Sequence, residues 1–155
     1  MEQVLQNKRI LIVEDNVTNM AVYNALLRHS GAIVIQDFMN ADMVNVLTRH
    51  LPIDVILMDL MLRFGISGYT LVERIKAFPL LADIPVIAVS ASDPELEIPK
   101  AKASGFAGFI GKPIDPTLFP FQIADCMAGK PVWHSQIAIL EKITWPTKHS
   151  SSTTL

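Results

Sequence analysis

The sequence has very little cysteine. Cys126 is the single cysteine among 155 residues, so no disulfide can form within the chain. A lone unpaired thiol is typical of a reducing compartment, and we therefore expect a cytoplasmic location. We interpret Cys126 as a small residue packed in a helix rather than as a reactive group.

Basic clusters and long apolar runs are also absent from the sequence. The chain has 13 basic and 15 acidic residues, for a net charge of -2, and no stretch concentrates lysine or arginine. This charge pattern argues against direct binding of nucleic acid, which needs a basic patch to neutralise phosphates. Charged residues interrupt every apolar stretch before a membrane-spanning length, and residues 1–9 lack the order of a signal peptide. We expect no membrane insertion.

Apolar residues are abundant, at 50% of the chain. A chain of this length can bury one well-packed core but is too short for two ordinary domains. The most informative stretch is Asp54-Val-Ile-Leu-Met-Asp59, an apolar run without alternation between two carboxylates. Such a run is typical of a strand covered on both faces. Asp59 then lies at the end of a buried strand, where its carboxylate needs a compensating cation or donor.

Strands and helices are predicted to alternate along most of the chain. Apolar runs rich in β-formers predict five strands, at residues 9–13, 32–36, 54–59, 84–90 and 106–110. Apolar residues at helical spacing predict five helices, at residues 17–29, 40–50, 67–78, 93–105 and 117–127. This alternation predicts a doubly wound α/β fold with a five-stranded parallel sheet and right-handed crossovers.

Capping and breaking residues refine these boundaries. Asn16 is a candidate N-cap for the first helix, and Gly31 is a candidate stop for it. Asp54 and Asp93 are interpreted as a strand-start residue and a helix cap. Pro99 removes a backbone donor at about 3 kcal/mol in a regular helix interior, so we expect the fourth helix to be short, shifted or broken.

Polar side chains are predicted to converge at one edge of this sheet, because binding sites form at the carboxyl ends of parallel strands. The residues that follow four of the strands are Glu14, Asp15, Asp59, Ser90 and Lys112. Carboxylates this close need a hard cation or the lysine to remain ionised, and oxygen ligands with room for water suit Mg²⁺ best. An aspartate beside Mg²⁺ and lysine can attack phosphorus to give an aspartyl phosphate. Ser90 is placed to hydrogen-bond the resulting phosphoryl group.

Four motifs at these strand ends resemble the receiver domain of two-component response regulators, of the single-domain chemotaxis and cell-division type. They are Ile-Leu-Ile-Val-Glu-Asp-Asn at 10–16, Val-Ile-Leu-Met-Asp-Leu at 55–60, Pro-Val-Ile-Ala-Val-Ser-Ala at 85–91 and Phe-Ile-Gly-Lys-Pro-Ile at 109–114. Any one motif alone is weak, but their joint occurrence is highly specific. The resemblance covers residues 8–128 as a receiver domain and implies a flavodoxin-like (βα)5 fold with strand order 2-1-3-4-5.

The resemblance also implies roles for the acidic residues. Asp59 matches the phosphoacceptor, Asp15 a direct Mg²⁺ ligand and Glu14 an acidic partner that holds metal-bound water. The backbone carbonyl of Met61 matches the group that completes the metal coordination. Taken alone, Glu14 or Asp15 would equally suit a helix cap, and Asp59 a turn residue at a strand end.

The remaining matched residues belong to a switch. Lys112 matches the phosphate-binding lysine and Ser90 the switch hydroxyl, while Phe109 matches the aromatic residue that changes rotamer with that hydroxyl. Pro113 matches a proline that follows the lysine through a cis bond. Outside the joint pattern, each of these residues has an ordinary structural reading: a solvated lysine, a hydroxyl that satisfies a backbone donor and a core aromatic residue.

Two segments depart from the family pattern. Where the family usually has Met-Pro-Gly after the acceptor, this chain has Leu62-Arg63-Phe64-Gly65, one residue longer and without proline. Arg63 either reaches toward the site or points to solvent. Residues 129–155 form a C-terminal tail with a candidate short helix at 135–143 and no recognisable output domain. The tail could dock a partner, join a second copy in a homodimer, pack on its own domain or remain partly disordered.

The combined interpretation is a stand-alone phosphorelay receiver, a signalling switch rather than an enzyme. The expected partners are a sensor histidine kinase or histidine phosphotransfer protein as donor and a downstream protein target. One alternative is a receiver-like interaction module that works without phosphorylation. A second is a flavodoxin or a phosphatase of the aspartyl-phosphate type. It is disfavoured because no phosphate-cradling loop follows the first strand and Met61 stands where a second aspartate is needed.

Overall fold

Strands and helices alternate in the computed structural model, which describes residues 2–36 and 42–134. The strands in that part of the chain are β1 (Arg9–Val13), β2 (Ile33–Gln36), β3 (Val55–Met58), β4 (Val86–Ser90), β5 (Gly108–Gly111) and β6 (Trp133–His134). The helices are α1 (Val17–His29), α2 (Met43–Arg49), α3 (Gly68–Ala77), α4 (Pro94–Ala103) and α5 (Phe119–Met127). Residues 40 and 41 of the predicted second helix and the predicted helix at 135–143 lie outside the described residues.

All strands of the described sheet are parallel, in the order β2-β1-β3-β4-β5-β6. The predicted five-stranded order 2-1-3-4-5 is confirmed, and β6 extends it by one short strand. The segment from Lys130 to Trp133 has the composition of a linker, yet Trp133 pairs with Phe109 on the outer edge of β5. A pairing of two residues is too short for any sequence period to reveal it.

The sheet is covered on both faces, which explains its uninterrupted apolar runs. Every residue of β3, β4 and β5 is buried. Alternate residues of β3 point into opposite core clusters, Ile56 and Met58 into one and Val55 and Leu57 into the other. Burial on both faces fixes these strands at the centre of the molecule and brings their carboxyl ends to one edge.

The structure confirms the predicted N-cap and the predicted C-terminal stop of α1. The Asn16 side chain accepts from the Asn19 backbone N–H at 2.9 Å. Gly31, just past the end of α1, has φ +92°, a conformation that glycine adopts without steric cost. These two signals place the start of α1 directly after the acidic residues that end β1.

The fourth helix was expected to be short, shifted or broken, and the structure excludes only the break: α4 is continuous from Pro94 to Ala103, within the predicted span 93–105. It runs over ten residues with Pro99 inside it. Asp93 caps its start through the Glu95 N–H, and the Tyr69 hydroxyl donates to the Glu97 carboxylate. Pro99 removes only one intrahelical donor, and these contacts with the cap and with α3 hold the helix despite that loss.

The helices of the described residues have modest lengths. The longest, α1, has 13 residues. Over residues 2–36 and 42–134, no helix combines the length and apolar character that crossing a bilayer requires.

Candidate functional site

Three carboxylates meet at the carboxyl edge of the sheet. Glu14 and Asp15 follow β1, and Asp59 follows β3, its direct neighbour. Each of the three offers an oxygen that lies within 4.8 Å of the other two. Glu14 is 5% exposed and Asp59 is 8% exposed. Two nearly buried carboxylates and a third beside them require positive charge or hydrogen-bond donors to remain ionised.

Lys112 supplies that positive charge from the end of β5. Its Nζ lies 2.7 Å from Glu14 Oε2 and 3.0 Å from Asp59 Oδ2. Burial lowers the pKa of Lys112, but the hydrogen bonds and negative charges of Glu14 and Asp59 outweigh it, so the pKa is raised overall. The side chain therefore stays an ammonium ion, and it bridges the two most buried carboxylates.

Backbone donors hold the second oxygen of each of those carboxylates. The Asn16 N–H donates to Glu14 Oε1 at 3.0 Å, and the Met61 N–H donates to Asp59 Oδ1 at 3.0 Å. Glu14 and Asp59 thus each accept one bond from the lysine and one from the main chain. This arrangement fixes the orientation of both carboxylates, with one oxygen of each on the ammonium group.

The loop after β3 closes over Asp15. The Arg63 backbone N–H donates to Asp15 Oδ2, and Arg63 Nε lies 3.9 Å from the same oxygen. The Arg63 backbone therefore contacts the site, while the guanidinium lies at its margin with the side chain 68% exposed. The next residue, Phe64, adopts φ +58° and is 97% exposed. A non-glycine residue in this left-handed region costs roughly 1–2 kcal/mol, and here the backbone turns back toward Asp15.

The two predicted switch residues lie on β4 and β5 and are both buried. Ser90 ends β4 with 1% exposure, and its Oγ accepts from the Ser92 N–H at 3.1 Å. Its carbonyl accepts from the Lys112 N–H at 2.8 Å, which ties the ends of β4 and β5 together. Phe109 lies on β5 with 0% exposure. The Lys112–Pro113 peptide bond is cis, as the resemblance implied.

Tyr23 is a further residue near the site, and sequence reasoning missed it. It is buried on α1, 3% exposed, with its ring centroid 5.3 Å from that of Phe119. Burial, followed by the charges of Glu14 and Asp59, raises its pKa. Its position four residues before Leu27 on the buried stripe of α1 was the signal that could have found it.

A parallel sheet of this strand order, with an acidic cluster and a lysine at its carboxyl edge, defines the flavodoxin-like receiver class. Residues 10–120 match the response regulator receiver domain, and the chain belongs to that family. A receiver domain is a signalling module rather than a catalytic enzyme, and membership of the family implies a histidine kinase as partner.

Individual relatives agree with this assignment. The polar-differentiation response regulator DivK of Brucella ovis is 34% identical over 107 residues, which are 69% of this chain and 85% of the relative. DivK of Brucella abortus matches to the same extent.

Solved structures resemble the fold over most of the chain. The signal receiver domain of a DNA binding response regulator from Colwellia psychrerythraea has a TM-score of 0.68 at 27% identity, covering 79% of this chain and 99% of that one. The receiver domain of a sensor histidine kinase from Pseudomonas aeruginosa has a TM-score of 0.65 at 27% identity, covering 79% and 98%. In that second structure a magnesium ion is coordinated in the active site cleft.

Proposed function

We propose that this chain is the receiver of a phosphorelay in the cytoplasm, with residues 8–128 as the receiver domain and Asp59 as the phosphoacceptor. The donor would be a sensor histidine kinase or a histidine phosphotransfer protein. The observation that carries the proposal is the position of Lys112, whose ammonium group contacts both Glu14 and Asp59 within a cluster of three carboxylates. An acceptor carboxylate needs such cations nearby, because negative charge builds on the phosphoryl oxygens during transfer.

The donor set fits a magnesium ion. Three carboxylates whose oxygens lie within 4.8 Å of one another are hard oxygen ligands of the type that Mg²⁺ prefers. Glu14, Asp15 and Asp59 would hold the ion, with the backbone carbonyl of Met61 as a further proposed ligand. When bound, the ion would supply additional charge neutralisation for the transferred phosphoryl group.

The chain's own residues account for the transfer step. A carboxylate oxygen of Asp59 attacks the phosphorus of the donor's phosphohistidine as the P–N bond breaks. The electron pair of that bond goes to the imidazole, which takes up a proton from solvent. Lys112 is already 3.0 Å from Asp59 Oδ2, so its ammonium can pair with a phosphoryl oxygen with little displacement.

The proposed output is a change at the ends of β4 and β5. A phosphoryl group adds a charge of about -1.5 to -2 and strong acceptor oxygens. Ser90 and Lys112, whose main chains are already bonded, would be drawn toward it together. With Phe109 responding on the same strand, the rearrangement would bias the surface of β4 and β5 toward a downstream protein target.

The test is incubation of the purified protein with Mg²⁺ and acetyl phosphate, followed by mass spectrometry. We expect the mass gain of one phosphoryl group, mapped to Asp59, and no gain when Mg²⁺ is chelated before acetyl phosphate is added. Asp59→Asn should show no gain, whereas the matched control Asp54→Asn, at the other end of β3, should be phosphorylated normally. A wild-type protein that gains no mass would reject the phosphorelay.

A second candidate function is an interaction module that works without phosphorylation. The loop after β3 favours it, since the Arg63 backbone N–H donates to Asp15 Oδ2 and the Arg63 guanidinium lies 3.9 Å from the same oxygen. If this contact excludes the metal ion, titration with Mg²⁺ should show no binding by calorimetry. Arg63→Ala removes the guanidinium and keeps the backbone N–H, so binding by that variant alone would assign the exclusion to the side chain, and no binding by either protein would assign it to the loop backbone. Binding of Mg²⁺ by the wild type would remove the reason for this alternative.

A further inference from the structure

The segment 130–134, which we call the edge strap, covers the outer edge of β5. The Phe109 N–H donates to the Val132 carbonyl at 2.7 Å, and Trp133 pairs with Phe109 in a parallel register. Val132 is 8% exposed and belongs to the core cluster on one face of the sheet. Trp133 packs against the cluster on the other face. Successive side chains of the strap therefore contact the core clusters on opposite faces of the sheet, as alternating side chains of a strand do.

Two features show that the chain is built for this close approach. A Cβ on Gly108 would lie 2.6 Å from Cys126 Sγ and 3.0 Å from the Val132 carbonyl oxygen, so glycine lets both α5 and the strap approach β5 closely. On the outside, Lys102 Nζ lies 5.0 Å from the centroid of the Trp133 ring. A cation at that distance over an indole contributes roughly 0.5–1 kcal/mol at an exposed site. The strap therefore contacts α4 as well as β5.

The strap and the acidic site are connected across one face of the sheet. Ala88 pairs with Phe109, and both lie in the core cluster against which Trp133 packs. Ser90, two residues after Ala88 on the same strand, projects to that same face. On this face Ala88, Phe109 and Trp133 are therefore neighbours across three adjacent strands, and Ser90 lies two residues further along β4, at the end of the strand.

We propose that the edge strap responds to the phosphorylation state of Asp59. Phosphorylation weakens the pairing between the strap and β5 and exposes Trp133. This inference rests on the proposed function. Movement of Ser90 toward a phosphoryl group changes the space beside Phe109, which is fully buried and cannot shift without altering its contacts. Because Trp133 packs against the same cluster, a shift of Phe109 away from the edge removes part of the support beneath the indole.

The test uses the full chain with Trp145→Phe, which leaves Trp133 as the single tryptophan of the two in the sequence. Emission and acrylamide quenching are measured before and after addition of Mg²⁺ and acetyl phosphate, and mass spectrometry reports the phosphorylated fraction. We expect a red shift of the emission maximum and a rise in the quenching constant, in proportion to that fraction. The same protein with Asp59→Asn should show neither change.

The two proposals fail in different ways. Phosphorylation of Asp59 with unchanged or blue-shifted emission overturns the strap proposal and leaves the proposed function standing. Absence of any mass gain overturns the proposed function and the strap proposal with it.

A second variant tests the contact between Lys102 and the Trp133 ring. In the Trp145→Phe background, Lys102→Met keeps the aliphatic stem but removes the cation, so the resting emission should shift to the red and the further shift on phosphorylation should shrink. Lys100→Met is the matched control, because Lys100 on the same helix pairs with Glu97 at 3.8 Å and should leave both readings unchanged. Equal behaviour of the two variants contradicts the role of Lys102.

Discussion

The strand β3 has an aspartate beyond each of its ends, and the two carboxylates meet different surroundings. At the amino end, Asp54 Oδ2 accepts from the Arg9 backbone N–H at 2.7 Å. The guanidinium of Arg9 donates to the main-chain carbonyls of Pro52 and His50 rather than to Asp54. This end of the strand therefore holds a single carboxylate, oriented by the main chain in an ordinary structural role.

At the carboxyl end, Asp59 shares its surroundings with other acids. Its oxygens lie close to those of Glu14 and Asp15, and it shares one ammonium group, that of Lys112, with Glu14. Like charges gathered at this distance repel one another and lower the stability of the fold, and such strain is typically kept at functional sites. The comparison shows that the crowding of acids around one lysine, rather than the presence of an aspartate at a strand end, marks the functional site.

The largest expected effect comes from removing the ammonium group. Lys112→Met should lower the free energy of unfolding by about 3 kcal/mol at neutral pH without Mg²⁺, because it leaves buried carboxylates without their cation. Urea denaturation measures the change, and Mg²⁺ should restore part of it. The control is Lys76→Met, since Lys76 Nζ donates to the Ala82 carbonyl at 3.0 Å instead of to a carboxylate. An equal loss in both variants would contradict the special role of Lys112.

The second expected effect is a loss of stability at alkaline pH. Burial, with the charges of Glu14 and Asp59, raises the pKa of Tyr23 above that of an unfolded tyrosine, about 10. The unfolded state then releases its proton first, so this contribution to stability is fully present below about pH 10 and is lost as the pH rises. Urea midpoints measured between neutral pH and pH 11 should fall less steeply in Tyr23→Phe. An unchanged pH profile in that variant would contradict the pKa shift.

Replacing Asp59 or Asp54 by asparagine should change the free energy of unfolding in opposite directions. Asp59→Asn should raise the free energy of unfolding by about 1 kcal/mol, because it removes one of three like charges around a single lysine. Asp54→Asn should lower it by about 1 kcal/mol, because a hydrogen bond to a charged acceptor becomes one to a neutral amide. Thermal unfolding of both variants without Mg²⁺ checks the signs. Destabilisation by Asp59→Asn would show that the acidic cluster is not strained.

The smallest expected effect concerns the loop that follows Asp59. Phe64→Gly relieves the left-handed backbone at φ +58° but gives the unfolded chain more freedom, for a net gain of about 0.5 kcal/mol. Urea denaturation measures it, and Phe64→Ala should show no such gain, since it keeps the Cβ. A stability loss in the glycine variant would mean that the Phe64 side chain makes contacts that matter to the fold.

Local patterns predicted the elements that local physics governs. The run from Val55 to Met58 has no alternation because the sheet is covered on both faces, and Asn16 begins α1 because its side chain accepts an N–H of the first turn. Where local physics and packing disagree, local patterns left the outcome open. Pro99 predicted a short, shifted or broken fourth helix, and the structure excludes the break, because the cap at Asp93 and the contact of Tyr69 with Glu97 hold α4 in one continuous piece.

By itself, the sequence determined the order of strands and helices, the acids and the lysine at the strand ends, and the family to which they point. These follow from periodicity, turn chemistry and motifs, which act over a few residues. Tertiary structure alone decided that Arg63 turns onto Asp15, that Tyr23 lies near the acids and that residues 130–134 cover β5. Each of these contacts joins residues far apart in the chain or forms a pairing too short to have a period, so only the folded geometry could fix it.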